Sequence, residues 1–135
     1  MTGNTVGIID LGTNTALLLI AQINPYGKIT ILTDEYALVG LGRGVDSTRR
    51  INSKAMDRAC GQLKIYANTA ENFGVTNLIA WGTSAVRDAT NKDELKKSLF
   101  NIYNSSPRFK SFRRGKIHIF WCKLWFKVIT PTRSY

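Results

Sequence analysis

An aspartate at position 10 ends the apolar run Val6–Ile9 and opens the turn Leu11-Gly12-Thr13-Asn14-Thr15. A carboxylate at the end of a buried strand can hold Mg²⁺, usually through water, while turn amides and the side chains of Thr13, Asn14 and Thr15 face phosphate oxygens. The same pattern has a purely structural reading, because an Asp-Xaa-Gly turn is common in hairpins. Further along, Thr83-Ser84-Ala85-Val86-Arg87-Asp88-Ala89 sets a guanidinium shortly after two hydroxyls. A planar guanidinium pairs two phosphate oxygens at once, which a lysine cannot do. An ion pair with Asp88 or another surface acid is the alternative for Arg87. Between these runs lies a glycine-bearing loop, Leu41-Gly42-Arg43-Gly44-Val45-Asp46.

The elements that must position these residues are legible from hydrophobic period. Val6–Ile9 suits a buried strand, and Ala16–Ile23 returns as a second strand with alternating faces. Asn24-Pro25-Tyr26-Gly27 is a turn, and Lys28–Thr33 gives a third strand with Ile29 and Ile31 on one face. Two successive hairpin connections imply an antiparallel meander. Asn52 caps a helix whose apolar stripe is Met56, Cys60, Leu63, Ala67, Ala70 and Phe73, closed by Gly74 at C′. Asn77–Trp81 is a fourth strand, followed by short helices over 85–89 and about 92–103. The order βββαβα is an α/β layout in which strands pair locally and then cross over through the long helix.

Composition narrows the function classes. The 135 residues fit one domain, and 44% hydrophobic with 21% charged residues describes a globular chain. No apolar run approaches the ~20 residues of a membrane helix, and no basic-then-apolar leader is visible, so a cytoplasmic protein without membrane contact is expected. Cys60 and Cys122 lack metal-ligand spacing and read as unrelated thiols, Cys60 as a core residue. His118 has no nearby carboxylate in sequence and takes no role. The net charge of +10 comes mainly from residues 101–135, which hold eight Lys+Arg and no acid. Nucleic acid is therefore not the partner expected of the domain itself.

The three runs, in this order and at these spacings, resemble the exopolyphosphatase/guanosine pentaphosphate phosphohydrolase (Ppx/GppA) family over about Val6 to Tyr103. The resemblance implies an actin-like (ribonuclease H-like) ATPase fold in which two similar domains close on phosphates. Residues 1–104 would be the first domain, incomplete, and 105–135 an irregular basic and aromatic tail. By the same resemblance Asp10 would position Mg²⁺, and Gly12, Thr13, Asn14 and Thr15 would form the phosphate loop. Arg87 would reach the substrate phosphates with Ser84 beside it. The activity implied is hydrolysis of phosphoanhydride bonds in polyphosphate or guanosine pentaphosphate by a homodimeric intact protein. Two departures stand out: family members often carry an acid where Arg43 stands and a glycine where Arg49 stands. Arg43, Arg49 and Arg50 then make either a cluster facing a polyanion or a solvated loop.

The resemblance also implies a Ser-Gly-Glu-Glu segment after the second helix, one glutamate of which serves as general base. This sequence has no acid after Glu94. Codons allowed for Phe109–Gly115, read one nucleotide later, can encode Leu-Lys-Val-Ser-Gly-Glu-Glu, and Trp121-Cys122 then forces a glycine. A frameshift near residues 104–108 that replaced the true continuation is thus one expectation, with a fragment that does not turn over. Two others are a non-catalytic phosphate-binding module, and a tail that binds nucleic acid or an anionic surface.

Overall fold

The computed structural model describes residues 3–82, 84–105 and 116–121. Its core is a five-stranded sheet built from β1 (Asn4–Leu11), β2 (Thr15–Ile23), β3 (Ile29–Leu38), β4 (Asn77–Gly82) and β5 (Lys116–Trp121). The order across the sheet is β3-β2-β1-β4-β5. The first three strands form the expected antiparallel meander, whereas β4 runs parallel to β1 and β5 parallel to β4. Period-two alternation decides which side is buried. Ile9 and Leu11 of β1 and Ala16, Leu18 and Ile20 of β2 are fully buried, while Leu17 between them is 40% exposed.

Both long helices cover that buried face. They are α2 (Ser53–Asn72) and α4 (Lys92–Ser105); α1 (Val45–Thr48) and α3 (Ser84–Asp88) are single turns. The Asn52 cap forms as expected, its Oδ1 accepting from the Ala55 N–H at 2.8 Å. At the other end Gly74, at φ 68°, makes a Schellman closure: its N–H donates to the Glu71 carbonyl and that of Val75 to the Ala70 carbonyl. The turn after β2 is fixed by Asn24, whose Oδ1 accepts from the N–H groups of Tyr26 and Lys28. None of the described helices is long and apolar enough to cross a membrane.

Four expectations change. The buried stripe of α2 is Ala55, Ala59, Leu63, Tyr66, Ala67 and Ala70, with Met56 and Cys60 packed at its margin and Phe73 40% exposed. The stripe is rotated because Tyr66 can be buried at no polar cost, its hydroxyl donating to the Ala16 carbonyl at 2.8 Å. The third strand runs on to Leu38, since β2 offers partners as far as Thr15↔Leu38. A bulge between Ile20 and Ala21 shifts the register there, and Ile29 and Ile31 remain more than 60% exposed on the sheet edge. Val45–Thr48 is helical rather than loop. Finally, the segment from 105 onward is not irregular throughout. Lys116–Trp121 adds a parallel strand to β4, from Asn77↔Lys116 to Gly82↔Trp121, and supplies a neighbour that β4 would otherwise lack. The rest of the tail, with Cys122, lies outside the described residues.

Arg49 holds a left-handed backbone at φ 58°. It caps α1 through its N–H to the Val45 carbonyl, and its own carbonyl accepts from both the N–H and the hydroxyl of Thr90. Asn91 fixes the chain two residues on, its side-chain amide pairing with the N–H and carbonyl of Ile51 at 2.9 Å each. These bonds hold a conformation that costs a non-glycine residue about 1 kcal/mol. Arg49→Gly is therefore expected to stabilise the protein by about 1 kcal/mol, a rise of about 4 °C in Tm by calorimetry. An unchanged or lower Tm would show the strain to be absent.

Candidate phosphate-binding site

In sheets with parallel strands, ligands bind beyond the carboxyl ends, where neighbouring connections leave in different directions. Here β1 and β4 are parallel and end together at Leu11↔Gly82. From that point β1 turns back into the β2 hairpin, while β4 leads into α3. The Asp10–Thr15 turn and the Ser84–Asp88 helix therefore share one end of the sheet. The segment 39–44 joins them from a third side.

Hydrogen bonds show how the turn is held. The Gly12 N–H donates to the Thr15 carbonyl at 2.8 Å and closes the hairpin. The N–H groups of Val39 and Gly40 both donate to the Asn14 carbonyl, and that of Gly42 donates to the Thr13 carbonyl at 2.8 Å. The carbonyls of Thr13, Asn14 and Thr15 are thus consumed within the protein. The N–H groups of Thr13 and Asn14 donate to no acceptor among the described residues, and both residues are exposed. A turn with its acceptors tied back and adjacent donors outward is a small anion-binding concavity.

Gly42 brings the three segments into contact. A Cβ built there would overlap the Thr13 methyl and stand 3.2 Å from the Ala85 Cβ. Only glycine lets the 39–44 segment pass between the Asp10–Thr15 turn and α3.

Asp10 lies on the sheet face opposite the helices, flanked in register by Leu17 and Trp81. Its Oδ1 is buried and makes no hydrogen bond among the described residues. Burial beside these apolar neighbours pushes its carboxyl above the ordinary aspartate value. A strand-end carboxylate with one buried, unpartnered oxygen is suited to a cation.

Ser84 is exposed at the first position of α3; Thr83 lies outside the described residues. Arg87, at the far end of α3, forms a two-point ion pair with Asp88, with Nε–Oδ1 of 2.8 Å and Nη2–Oδ2 of 3.1 Å. The surface ion pair that the sequence allows for this residue is therefore present. The Asp88 carboxyl is held below its usual value, first by the hydrogen bond from Arg87 and further by the Arg87, Arg49 and Lys92 charges, against a desolvation that raises it. Lys92 braces the same corner, its Nζ donating to the Arg87 carbonyl at 3.0 Å.

The three arginines of the 43–50 region do not form one cluster. Arg50 pairs with Glu94 at 3.6 Å, and Arg49 caps α1. Arg43 instead faces Gly40 together with Arg58 of α2. Nothing in the linear pattern singles out Arg58, because its significance depends on the fold returning the 39–44 segment to the side of α2.

Comparison with known proteins agrees with this geometry. The family model for Ppx/GppA phosphatases matches residues 19–105. The chain belongs to the Ppx/GppA phosphatase family. Exopolyphosphatase 1 of Mycobacterium tuberculosis is 31% identical over 90 residues, which make up 67% of this chain and 26% of that protein. The bifunctional 3-dehydroquinate synthase/phosphatase of Fusobacterium nucleatum is 34% identical over 99 residues, 69% of this chain and 15% of that one. Among solved structures, an exopolyphosphatase from Cytophaga hutchinsonii superposes with a TM-score of 0.68 at 34% identity, covering 87% of this chain and 34% of the other. The Ppx/GppA member of Aquifex aeolicus superposes at 0.71 with 25% identity, covering 87% of this chain and 35% of the other. The chain thus spans roughly a quarter to a third of the exopolyphosphatases it matches. The strand order, an antiparallel meander of three strands continued by two parallel ones, is the actin-like ATPase arrangement shared with the Ppx/GppA structures. The segment matched by the Ppx/GppA model includes the 39–44 loop and α3. The Asp10–Thr15 turn precedes it and is joined to it by the bonds to Val39, Gly40 and Gly42.

Proposed function

We propose that these residues form the phosphate-gripping side of a Mg²⁺-dependent phosphohydrolase, one that cleaves phosphoanhydride bonds of polyphosphate or guanosine pentaphosphate. The observation that carries the reading is the pairing of outward N–H donors at Thr13 and Asn14 with the buried, unpartnered Oδ1 of Asp10. One side of the turn offers donors to anionic oxygen, and the other offers an oxygen to a cation. A metal–phosphate pair needs both.

The donor set fits Mg²⁺. No group of three or more His, Cys, Asp or Glu is gathered as a metal cage among the described residues. Mg²⁺ is commonly held by one or two carboxylates with waters and substrate phosphates completing the shell, so Asp10 alone is a sufficient protein anchor. When bound, the ion would neutralise charge on the phosphoryl oxygens. Asp10 would hold it, and the 12–15 turn would orient the phosphate. Arg87 would contribute a guanidinium already oriented by Asp88. A phosphate must compete with that carboxylate for the fork, and a group of higher charge does so more effectively.

Cleavage needs a base to activate water. The family resemblance places that base on a glutamate after the second long helix, where the sequence carries no acid beyond Glu94. The 135-residue chain is accordingly expected to bind tripolyphosphate in a Mg²⁺-dependent manner by isothermal titration, without releasing phosphate. Binding that is absent, or indifferent to Mg²⁺, would overturn the grip. Phosphate release that Asp10→Ala abolishes would instead show that the base is present.

A further inference from the structure

Arg43 and Arg58 converge on a point that the phosphate loop itself does not use. Above the Gly40 Cα, where a Cβ would stand, the Arg43 Nε lies at 3.2 Å and the Arg58 Nη2 at 3.4 Å. Gly40 is at φ 60°, a conformation favouring glycine, and its lack of a side chain is what admits both guanidinium groups. The surrounding pocket is lined by Asn14, Leu38, Val39, Gly40, Arg43 and Arg58. One of its walls is therefore the phosphate loop.

Neither arginine has an acidic partner among the described residues. The ion pairs among the described residues are Arg50–Glu94 and Arg87–Asp88. The Arg58 Nε donates to the Val39 carbonyl at 3.0 Å, which anchors the side chain but uses one of its five N–H donors. The Arg43 side chain makes no hydrogen bond or ion pair among the described residues. Two like charges facing one pocket repel each other, and a polyatomic anion between them removes that repulsion while accepting bonds from both forks.

We propose that Arg43 and Arg58 form a second anion subsite, which takes an internal phosphoryl group of a linear polyphosphate whose end lies at the Asp10–Thr15 turn. The link to the turn rests on the function proposed above. The anion site itself rests on the two arginines, Gly40 and the shared wall at Asn14. A ligand with one phosphate cannot span both sites, so affinity should depend on chain length and fall as salt screens the arginines.

Titration of the 135-residue protein with orthophosphate, tripolyphosphate and polyphosphate of several tens of units, each with Mg²⁺, tests this. Arg43→Gln and Arg43→Glu are the informative variants, since Arg43 is exposed and holds nothing in place; Arg58→Lys keeps the charge but loses the fork. Arg43→Gln should weaken long-chain binding at least about tenfold, and Arg43→Glu more, with orthophosphate affinity changed less than about twofold. Arg58→Lys should show an intermediate loss. Long-chain affinity unchanged in Arg43→Glu overturns the subsite, and if Asp10→Asn still abolishes binding the grip at the turn survives. The converse result, loss in Arg43→Glu but not in Asp10→Asn, keeps the subsite and removes the turn. Wild-type protein that binds no polyphosphate of any length ends both.

Discussion

Gly42→Ala is expected to destabilise the protein by about 2 kcal/mol and to abolish Mg²⁺-dependent phosphate binding in the fraction that folds. The added methyl has no room. It overlaps the Thr13 side chain on one side and stands 3.2 Å from the Ala85 Cβ on the other. The Thr13 contact is a side-chain end, but its backbone is fixed by the bond from the Gly42 N–H to the Thr13 carbonyl, so a rotamer change alone does not clear the way. Either the Asp10–Thr15 turn or the 39–44 segment must move, and each movement misaligns the outward N–H groups from the Asp10 carboxylate. Gly44→Ala is the matched control. Gly44 has φ 78° but nothing within 4 Å of its absent Cβ. That variant should cost about 1 kcal/mol through backbone strain, with ligand affinity kept. Equal loss of affinity in both variants would mean that stability, and not contact between the three segments, governs the site.

The contrast between these glycines shows what sequence can reveal. Features fixed by a few neighbouring residues were legible: the first strand (though it runs from Asn4 past Asp10 to Leu11), the Asn24 turn, the Asn52 cap and the Gly74 closure each depend on local chemistry. Features set by a distant partner were not. Tyr66 is buried because β2 presents the Ala16 carbonyl to it, a fact that helical period alone does not contain. The length of β3 is set by Thr15, its last partner on β2, and the Lys116–Trp121 strand by the open edge of β4. The site divides in the same way. Asp10 and the 12–15 turn are recognisable as residue types in order, and so is Arg87, although the linear order allows both a phosphate contact and the ion pair with Asp88 that the fold contains. Gly42 lay within the loop that carries the resemblance, yet its reason for being glycine lies in Thr13 and Ala85. Arg58 carried no mark at all, because its partners across Gly40 become neighbours only after the sheet and α2 pack together.

Asp10→Asn should move stability and binding in opposite directions. Burial raises the Asp10 carboxyl above its ordinary value of 3.8 in the folded protein, so the folded state binds that proton more readily than the unfolded chain. The ionised carboxylate is therefore a cost to the metal-free fold at neutral pH, and the cost disappears as pH falls through the raised pKa towards 3.8. An amide does not titrate. The variant should have a higher Tm than wild type at pH 7 without Mg²⁺, and the difference should shrink on acidification across that window. Its ligand binding should fail, because an amide supplies neither the charge nor the basicity that holds Mg²⁺. Adding Mg²⁺ with tripolyphosphate should then raise the wild-type Tm and leave the variant unmoved, by the ordinary linkage of a ligand that binds only the folded state. If Asp10→Asn is less stable than wild type at neutral pH, the carboxylate is held by partners that stabilise its charge, and the case for a cation at the end of β1 loses its physical basis. A carboxylate left buried and unpartnered at some cost to the fold makes sense where a ligand supplies the missing partner, and Oδ1 of Asp10 is in that position beside two donors suited to the ligand's phosphate.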